Sequence, residues 1–199
     1  MTAAGEHGPS MRRDALLNRH RILDAAVVAV HREGPDVPMA TVAAEAGVGI
    51  GTLYRRFPTR EALLDALTHR SFLLVLDNAR AAEAADGSGL DGLGRFLDRT
   101  IELRDDLVLP LHHGQEITTD ATRSVRDEVH QALQRIVDRG RRDGSLRDDV
   151  TPGDVIVFGA MLAQPLPATT GWDVIAHRLK RFYLDGLAAR AGTSSRGHG

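Results

Sequence analysis

Apolar residues recur at steps of three and four along most of the chain, a spacing that places their side chains on one face of a helix. We call each such row of apolar positions a stripe. Alanine, leucine and valine occupy these stripes, and proline or glycine separates one stripe from the next. The pattern predicts an all-α fold of about nine helices and no β-sheet. The stripes lie at about residues 16–33, 39–46, 50–57, 59–85, 90–103, 119–142, 151–164 and 172–191, with one further short segment around Pro110.

Two of the predicted helices are very short and flank a glycine turn. The turn is Gly47-Val48-Gly49, and the second short helix stops at Pro58. Two short helices joined in this way can present a recognition helix to the major groove of DNA. Helical cores also contain such turns, so the pattern by itself leaves a structural role open.

The residues in this segment make the prediction more specific. From Ala43 to Leu63 the chain reads A-x-x-A-G-V-x-x-G-T-L-Y-x-x-F-x-x-R-x-x-L, which resembles the TetR/AcrR family of transcriptional regulators. The preceding N-R-x-x-I-L-x-A-A, from Asn18 to Ala26, is also similar to that family. The resemblance covers about residues 12–68, and the remainder matches only in helical pattern and length.

The resemblance implies two domains. A three-helix helix-turn-helix DNA-binding domain is expected at residues 13–60, and a helical ligand-binding and dimerisation domain at residues 61–191, joined to the first by the long predicted helix. Residues 1–12 are expected to form a disordered basic arm, and residues 192–199 a disordered tail. Four glycines within residues 86–94 predict a helix break with a mobile surface connection.

The resemblance also assigns residues to DNA contacts. Thr52 would meet a base edge and Tyr54 a phosphate, while Arg55 is the candidate for a bidentate contact to guanine. Arg56 and Arg60 would contact phosphates, and the alternative is that the three arginines only form a solvated face. The full set of DNA-binding candidates is Thr41, Gly49, Ile50, Gly51, Thr52, Tyr54, Arg55, Arg56 and Arg60.

The sequence departs from the family pattern at two helix starts. Residues 38–40 stand where relatives often have a capping Ser or Thr, and Thr41 is a weak substitute. Gly49 stands where relatives often have a serine cap, which leaves the first amides of the recognition helix for a phosphate. Upstream, Arg12 and Arg13 could reach an adjacent minor groove, or could belong to a tail that only adds solubility.

The C-terminal candidates follow from the helical pattern and the implied architecture. Two-fold symmetry of a dimer predicts a palindromic operator. For the apolar members of the ligand pocket, ordinary core packing is the alternative. The expected pocket residues are Phe96, Arg99, Leu103, His112, His113, Gln115, Phe158 and Met161. The expected dimer interface contains Val155, Phe158, Leu162, Trp172, Ile175, Leu179 and Phe182.

A metal site is one further possibility at His112, His113 and Glu116, because a histidine and a carboxylate one helical turn apart can share an ion. A pair of surface histidines beside Pro110 needs no metal, and further ligands for a closed site are not visible in the sequence. We therefore expect no metal and no other cofactor.

Composition and charge narrow the function classes. The chain has 199 residues and no cysteine, which excludes a disulfide scaffold and a cysteine nucleophile. Its longest apolar run, residues 155–163, is too short to cross a bilayer, so a cytoplasmic location is expected. The net charge of −2 is an average over the whole chain and hides local clusters of arginine. These clusters contain Arg12, Arg13, Arg19 and Arg21, and then Arg55, Arg56 and Arg60.

The sequence therefore predicts a one-component regulator, a repressor that a small molecule releases from a palindromic operator by tilting the long helix. No nucleophile elbow, H-E-x-x-H helix or phosphate-binding loop is present, so no enzymatic activity is expected. The alternative is a helical interaction module without specific DNA binding. The two differ in whether binding depends on Tyr54, Arg55 and Arg56.

Overall fold

The computed structural model describes residues 8–108, 119–166 and 169–189, with side chains from residue 17 onward. Within these ranges the chain forms eight α-helices and one 3-10 helix, which confirms the all-α prediction. The short element predicted around Pro110 lies outside the described residues. The helices are α1 (Gly8–Glu33), α2 (Met39–Glu45), α3 (Ile50–Arg56), α4 (Arg60–Ala84), α5 (Gly89–Glu102), α6 (Asp120–Arg142), α7 (Pro152–Leu162) and α8 (Trp172–Leu187), with the 3-10 helix at Arg104–Asp106.

Both ends of the described chain differ from the sequence prediction. Helix α1 begins at Gly8, so residues 8–12 are helical where an arm was expected. Helix α8 ends at Leu187, short of residue 191, because Ala188 turns to an extended conformation and pairs with Leu146 in an isolated antiparallel bridge. None of the described helices is long and apolar enough to span a membrane.

The chain divides into two compact units. The first contains Met1–Ser71 and Asp105–Thr122, and the second contains Phe72–Arg104 and Arg123–Gly199. Helix α4 therefore begins in the first unit and ends in the second. The first unit has a continuous core of apolar side chains from α1 to α4, and its most deeply buried members include Ile22, Leu23, Ala26, Val42, Leu53 and Leu63.

A short segment that follows α5 in sequence belongs to the first unit. Leu107 is buried, and the Nε2–H group of His31 donates to its carbonyl oxygen at 2.9 Å. Val108 packs against the core of the first unit, and its amide donates to the hydroxyl oxygen of Ser71 at 2.8 Å. We call residues 105–108 the strap, since hydrogen bonds and apolar contacts fasten it to α1 and α4.

The second unit is built around α5, which packs against α7 and α8. Ser88 and Asp91 form a capping box at the start of α5, which satisfies amides that the helix leaves without partners. A Cβ atom at Gly89 would lie 2.2 Å from the Cα atom of Gly140, so only glycine allows this approach to α6. The glycine-rich stretch 86–94, which we expected to be a mobile connection, is for the most part a capped helix start packed against α6.

Charged side chains connect α4 to α6 within the second unit. The guanidinium of Arg80 lies 2.6 Å from the carboxylate of Glu128, and Nη2 of Arg135 donates to Glu83 at 2.9 Å. Arg139 donates to the carbonyl oxygen of Glu83 at 3.0 Å, where the end of a helix has carbonyls without helical partners. The C-terminal end of α4 is thus fixed by three arginines.

Candidate nucleic-acid interface

The turn between α2 and α3 has a defined geometry. Gly47 has φ of +63°, a conformation that L side chains rarely adopt, and the amide of Val48 donates to the carbonyl oxygen of Ala43 at 3.0 Å. Arg21 of α1 donates to the carbonyl oxygen of Ala46 at 3.0 Å and so satisfies the end of α2. These contacts fix the direction in which α3 leaves the turn.

Helix α3 buries one side and exposes the other. Leu53 and Phe57 are buried in the core of the first unit, as predicted. Tyr54 is 47% exposed, and Arg55 and Arg56 are exposed beside it. The buried leucine and phenylalanine therefore determine which surface carries the predicted DNA contacts.

Two side chains on α3 interact with each other. Nη2 of Arg55 donates to Oγ1 of Thr52 at 3.2 Å, one helical turn earlier. Thr52 is half-buried, whereas Arg55 is exposed. The threonine can thus orient the guanidinium for an approach to a base edge.

No side chain caps α2 or α3. Pro38 is the N-cap of α2, and the amide of Thr41 donates to its carbonyl oxygen at 3.0 Å. Gly49 is the N-cap of α3 in an extended conformation. Thr41 therefore does not replace the missing cap through its hydroxyl, and an anion could approach the first amides of α3.

Arg60 lies at the start of α4, where the hydroxyl of Thr59 accepts a hydrogen bond from the amide of Ala62 at 3.1 Å. The guanidinium of Arg60 is 3.4 Å from the carboxylate of Asp36, which is 95% exposed. An ion pair at such an exposed carboxylate is weak, so Arg60 remains available to a phosphate. A backbone hydrogen bond and the Thr59 hydroxyl lower the pKa of Glu61 in the same turn.

Comparison with known proteins supports the helix-turn-helix geometry. Residues 22–67 match the model of the bacterial regulatory proteins of the tetR family, and residues 92–189 match the C-terminal domain of SbtR-like transcriptional regulators. A TetR transcriptional regulator from Streptomyces coelicolor is 30% identical, with a TM-score of 0.60, over 87% of this chain and 99% of that chain. The chain belongs to the TetR family.

Two further matches are a related repressor sequence and a solved structure with the same fold. The repressor KstR of Mycobacterium tuberculosis is 27% identical over 151 residues, which are 74% of this chain and 67% of KstR. The regulator FadR of Bacillus subtilis, solved in complex with stearoyl-CoA, shares the fold at 16% identity, with a TM-score of 0.65, over 85% of this chain and 97% of that chain. This chain is a DNA-binding transcriptional regulator, as predicted.

The ligand-pocket candidates of this TetR-family chain occupy different environments. Phe96 and Leu103 are buried, whereas Arg99 is exposed on α5. Phe158 is half-buried, and Met161 is 61% exposed. The remaining candidates lie outside the described residues: His112, His113 and Gln115. In the part of the chain that the structure describes, no three His, Asp or Glu side chains are grouped to hold a metal.

The dimer candidates separate into buried and accessible side chains. Val155 and Leu162 are buried within the second unit. This corrects the expectation for both residues, because a side chain enclosed by its own chain offers no surface to a second subunit. The half-buried candidates are Phe158, Trp172 and Ile175, and the exposed ones are Leu179 and Phe182. The pattern also missed exposed apolar residues on the same two helices, which are Val157 and Val174.

Contacts between aromatic groups and the backbone hold α7 to α8. The rings of Phe158 and Tyr183 stack with centroids 3.8 Å apart, and the indole N–H of Trp172 donates to the carbonyl oxygen of Leu162 at 2.9 Å. Burial, with a smaller contribution from the charge of Asp154, raises the pKa of Tyr183 to about 12. The phenol therefore stays protonated at neutral pH.

Sequence reasoning missed two contacts that support the interface. Arg21 and Asp36 lie 25 and 24 residues from their partners Ala46 and Arg60. The sequence shows that these side chains are charged, but a helical repeat has no information about such distant partners. No local signal in the sequence would have identified either pairing, because the partners are 25 and 24 residues apart.

Proposed function

We propose that this protein is a repressor that binds a palindromic operator as a homodimer and is released by a small molecule. The observation that carries this proposal is the exposed surface of α3, where Tyr54, Arg55 and Arg56 extend from a helix held in place by Leu53 and Phe57. The relative KstR is a repressor, which supports the same mode of action here.

Each DNA-binding candidate has a proposed role. Arg55, oriented by Thr52, reads a guanine in the major groove, while Tyr54, Arg56 and Arg60 contact phosphates. The remaining members of the surface allow close approach of the backbone or offer amides to a phosphate. They are Thr41, Gly49, Ile50 and Gly51.

The proposed dimer forms through α7 and α8. Phe182 is 64% exposed and Met161 61% exposed, and Val157, Val174 and Leu179 add to the accessible apolar surface of these helices. A second copy would cover this surface and remove it from water. Two-fold symmetry then places the recognition helices one or more turns of DNA apart, roughly 34–36 Å for the simplest arrangement.

The effector is proposed to be an organic small molecule bound in the second unit. FadR of Bacillus subtilis was solved with stearoyl-CoA, so a protein of this fold can hold such a ligand. Helix α4 and the strap both join the second unit to the first along the chain, and a tilt of α4 would change the position of α3. Release by a hundredfold requires about 2.7 kcal/mol of coupling between the two sites.

The cell compartment follows from this function. A repressor must reach chromosomal DNA and an intracellular effector, so we place the protein in the cytoplasm. DNA binding and ligand binding require no reaction to be catalysed, and we propose no enzymatic role.

Selection of bound DNA from a random pool at a fixed, moderate salt concentration tests the proposal. The native chain is expected to enrich a palindrome that Arg55→Ala relaxes at one position of each half-site. Loss of a bidentate contact to guanine weakens discrimination by about 1–3 kcal/mol. Tyr54→Phe removes only the phenol hydroxyl, so it should weaken binding without changing the selected sequence.

Arg126→Ala on α6 is the matched control, because it also removes an exposed guanidinium, but from the second unit. It should leave both affinity and sequence preference unchanged. If no sequence is enriched and binding ignores the substitutions on α3, the protein is instead a helical interaction module.

A further inference from the structure

Helices α4 and α5 leave an open cleft of about 440 Å³ between them in the second unit. Apolar side chains, including Ala81 and Leu103, form part of its wall. Asp77, Arg95 and Arg99 add charged groups, and the buried amide of Asn78 also lines the cleft. The cleft therefore combines an apolar surface with a small number of polar groups, as small-molecule sites usually do.

Asn78 has a fixed orientation. Its Nδ2 donates to the carbonyl oxygen of Phe96 at 2.9 Å and to Oγ1 of Thr100 at 3.1 Å. The hydroxyl of Thr100 itself donates to the same carbonyl at 2.7 Å, so its oxygen is left to accept from the amide. Both donors of Asn78 are thus used by α5, and the amide oxygen remains as an acceptor.

The amide oxygen of Asn78 accepts no hydrogen bond from the described residues, and it is not enclosed by them, so it is free to accept from an occupant of the cleft. An acceptor held in this orientation on the wall of the cleft can accept a hydrogen bond from an occupant, in place of one from water. The occupant should therefore carry a hydroxyl or N–H group.

The charged side chains that line the cleft indicate which group the other end of the occupant should carry. Arg95 and Arg99 lie one helical turn apart on α5, and against Asp77 they leave the lining with one positive charge. Arg99 is paired with Glu102 at 2.8 Å, but both side chains are more than half exposed. An ion pair this exposed contributes little to stability. The guanidinium of Arg99 can therefore release Glu102 and bind a carboxylate of the ligand instead.

We propose that this cleft binds an amphipathic monocarboxylate with a hydroxyl group a few atoms from its carboxylate, as in a 3-hydroxy acid. Asn78 contacts α5 at Phe96 and Thr100, the same turn that carries Arg95 and Arg99, so donor and anion must be close in the ligand. The alkyl chain covers the apolar wall. This inference rests on the proposed function, in which an organic effector binds in the second unit, and it assigns that effector to the cleft.

The cleft also differs from the pocket expected from sequence. Phe96 is enclosed in the core, whereas Arg99 and Leu103 of the same helix line the cleft. A ligand there would contact α4 directly, because Asp77, Asn78 and Ala81 belong to that helix.

Titration calorimetry of the full-length protein with 3-hydroxydecanoate tests the ligand class. Saturable binding is expected, with decanoate and 1,3-decanediol each weaker by about 10-fold or more, since each lacks one of the two polar groups. Equal binding of all three compounds, or no binding of 3-hydroxydecanoate up to about 1 mM, overturns the proposed class.

Two pairs of variants test the location. Ala81→Phe fills the cleft from an exposed position and should abolish binding, while Ala84→Phe, at an exposed alanine of α4 outside the lining, should leave it intact. Arg99→Gln should weaken binding by about 10-fold, and Arg126→Gln on α6 should not. Native affinity in Ala81→Phe, with the native fold seen by circular dichroism, places the ligand elsewhere and overturns the assignment.

The DNA selection described above, performed on the same preparations, separates the two proposals. If a palindrome is enriched but no acid binds, the proposed effector site is wrong and the repressor proposal stands. If the acid binds but no DNA sequence is enriched, the repressor proposal is wrong and the cleft remains a ligand site.

Discussion

The two units differ in how far apart in sequence their functional residues lie. In the first unit, the turn and the exposed side chains of α3 all fall within residues 38–60, so local patterns describe them. In the second unit, the cleft combines residues of α4 and α5, and α4 is fixed by arginines of α6. A DNA-reading surface can therefore be recognised in a single sequence, whereas a ligand site requires the packing of helices.

The largest expected effect concerns the support of the recognition helix. Leu53 is fully buried, so Leu53→Ala should lower the free energy of unfolding by about 2–5 kcal/mol and abolish operator binding. Urea denaturation followed by circular dichroism measures the change. Val28→Ala, at an exposed position on α1, is the control and should be close to neutral. A native-like stability of Leu53→Ala would mean that the core of the first unit does not determine the orientation of α3.

The second unit should be most sensitive at the contact between α5 and α6. Gly89→Ala would place a Cβ atom 2.2 Å from the Cα atom of Gly140, and such overpacking costs about 1–3 kcal/mol. Thermal unfolding detects the loss. Gly186→Ala has no neighbouring atom within 4 Å and should instead stabilise α8 by about 0.5–1 kcal/mol. If both variants are equally stable, the close approach of the two helices is not required.

A smaller effect is expected where Asp36 competes with DNA for Arg60. Asp36→Asn removes the ion pair and one negative charge near the interface, so operator affinity should rise by about 2- to 5-fold at low salt. Fluorescence anisotropy at two salt concentrations measures the change. Asp127→Asn, an exposed carboxylate on α6, should leave affinity unchanged. A gain that is the same for both variants would reflect net charge and not the contact with Arg60.

The smallest effect is a dependence on pH at the start of α5. Hydrogen bonds from the Ser88 hydroxyl and then its amide lower the pKa of Asp91 in the folded state. Stabilisation by this carboxylate is therefore present above the pKa of the unfolded state, near 4, and is lost as pH falls through the lower folded value. Melting temperatures between about pH 6 and pH 3 should fall less steeply in Asp91→Asn than in the native chain. Parallel slopes for the two proteins would contradict a contribution of Asp91.

The sequence predicted those features that depend on near neighbours. The four-residue step from Leu53 to Phe57 predicted one buried face for α3. The sequence also predicted that Pro38 and Gly49 provide no side-chain cap, and the structure confirms this. The all-α architecture followed from the same periodicity.

Features that depend on packing were not predictable in this way. Glycine favours turns locally, so Gly89 and Gly92 indicated a break, whereas their lack of side chains serves a close contact between helices. Val155 and Leu162 resembled interface residues because α7 is apolar on nearly all sides, and only the neighbouring helices decide which side is covered. The orientation of the Asn78 amide could not be predicted either, because it depends on the position of Phe96 on the neighbouring helix.

The strap has a consequence for protein engineering. Because residues 105–122 belong to the same unit as the first 71 residues, the DNA-binding half is not a detachable N-terminal segment. A chimaeric regulator made by joining the first 71 residues to another sensor would leave Ser71 without Val108 and His31 without Leu107. To exchange operator preference between regulators of this kind, the strap should therefore be transferred together with the helices to which it is fastened.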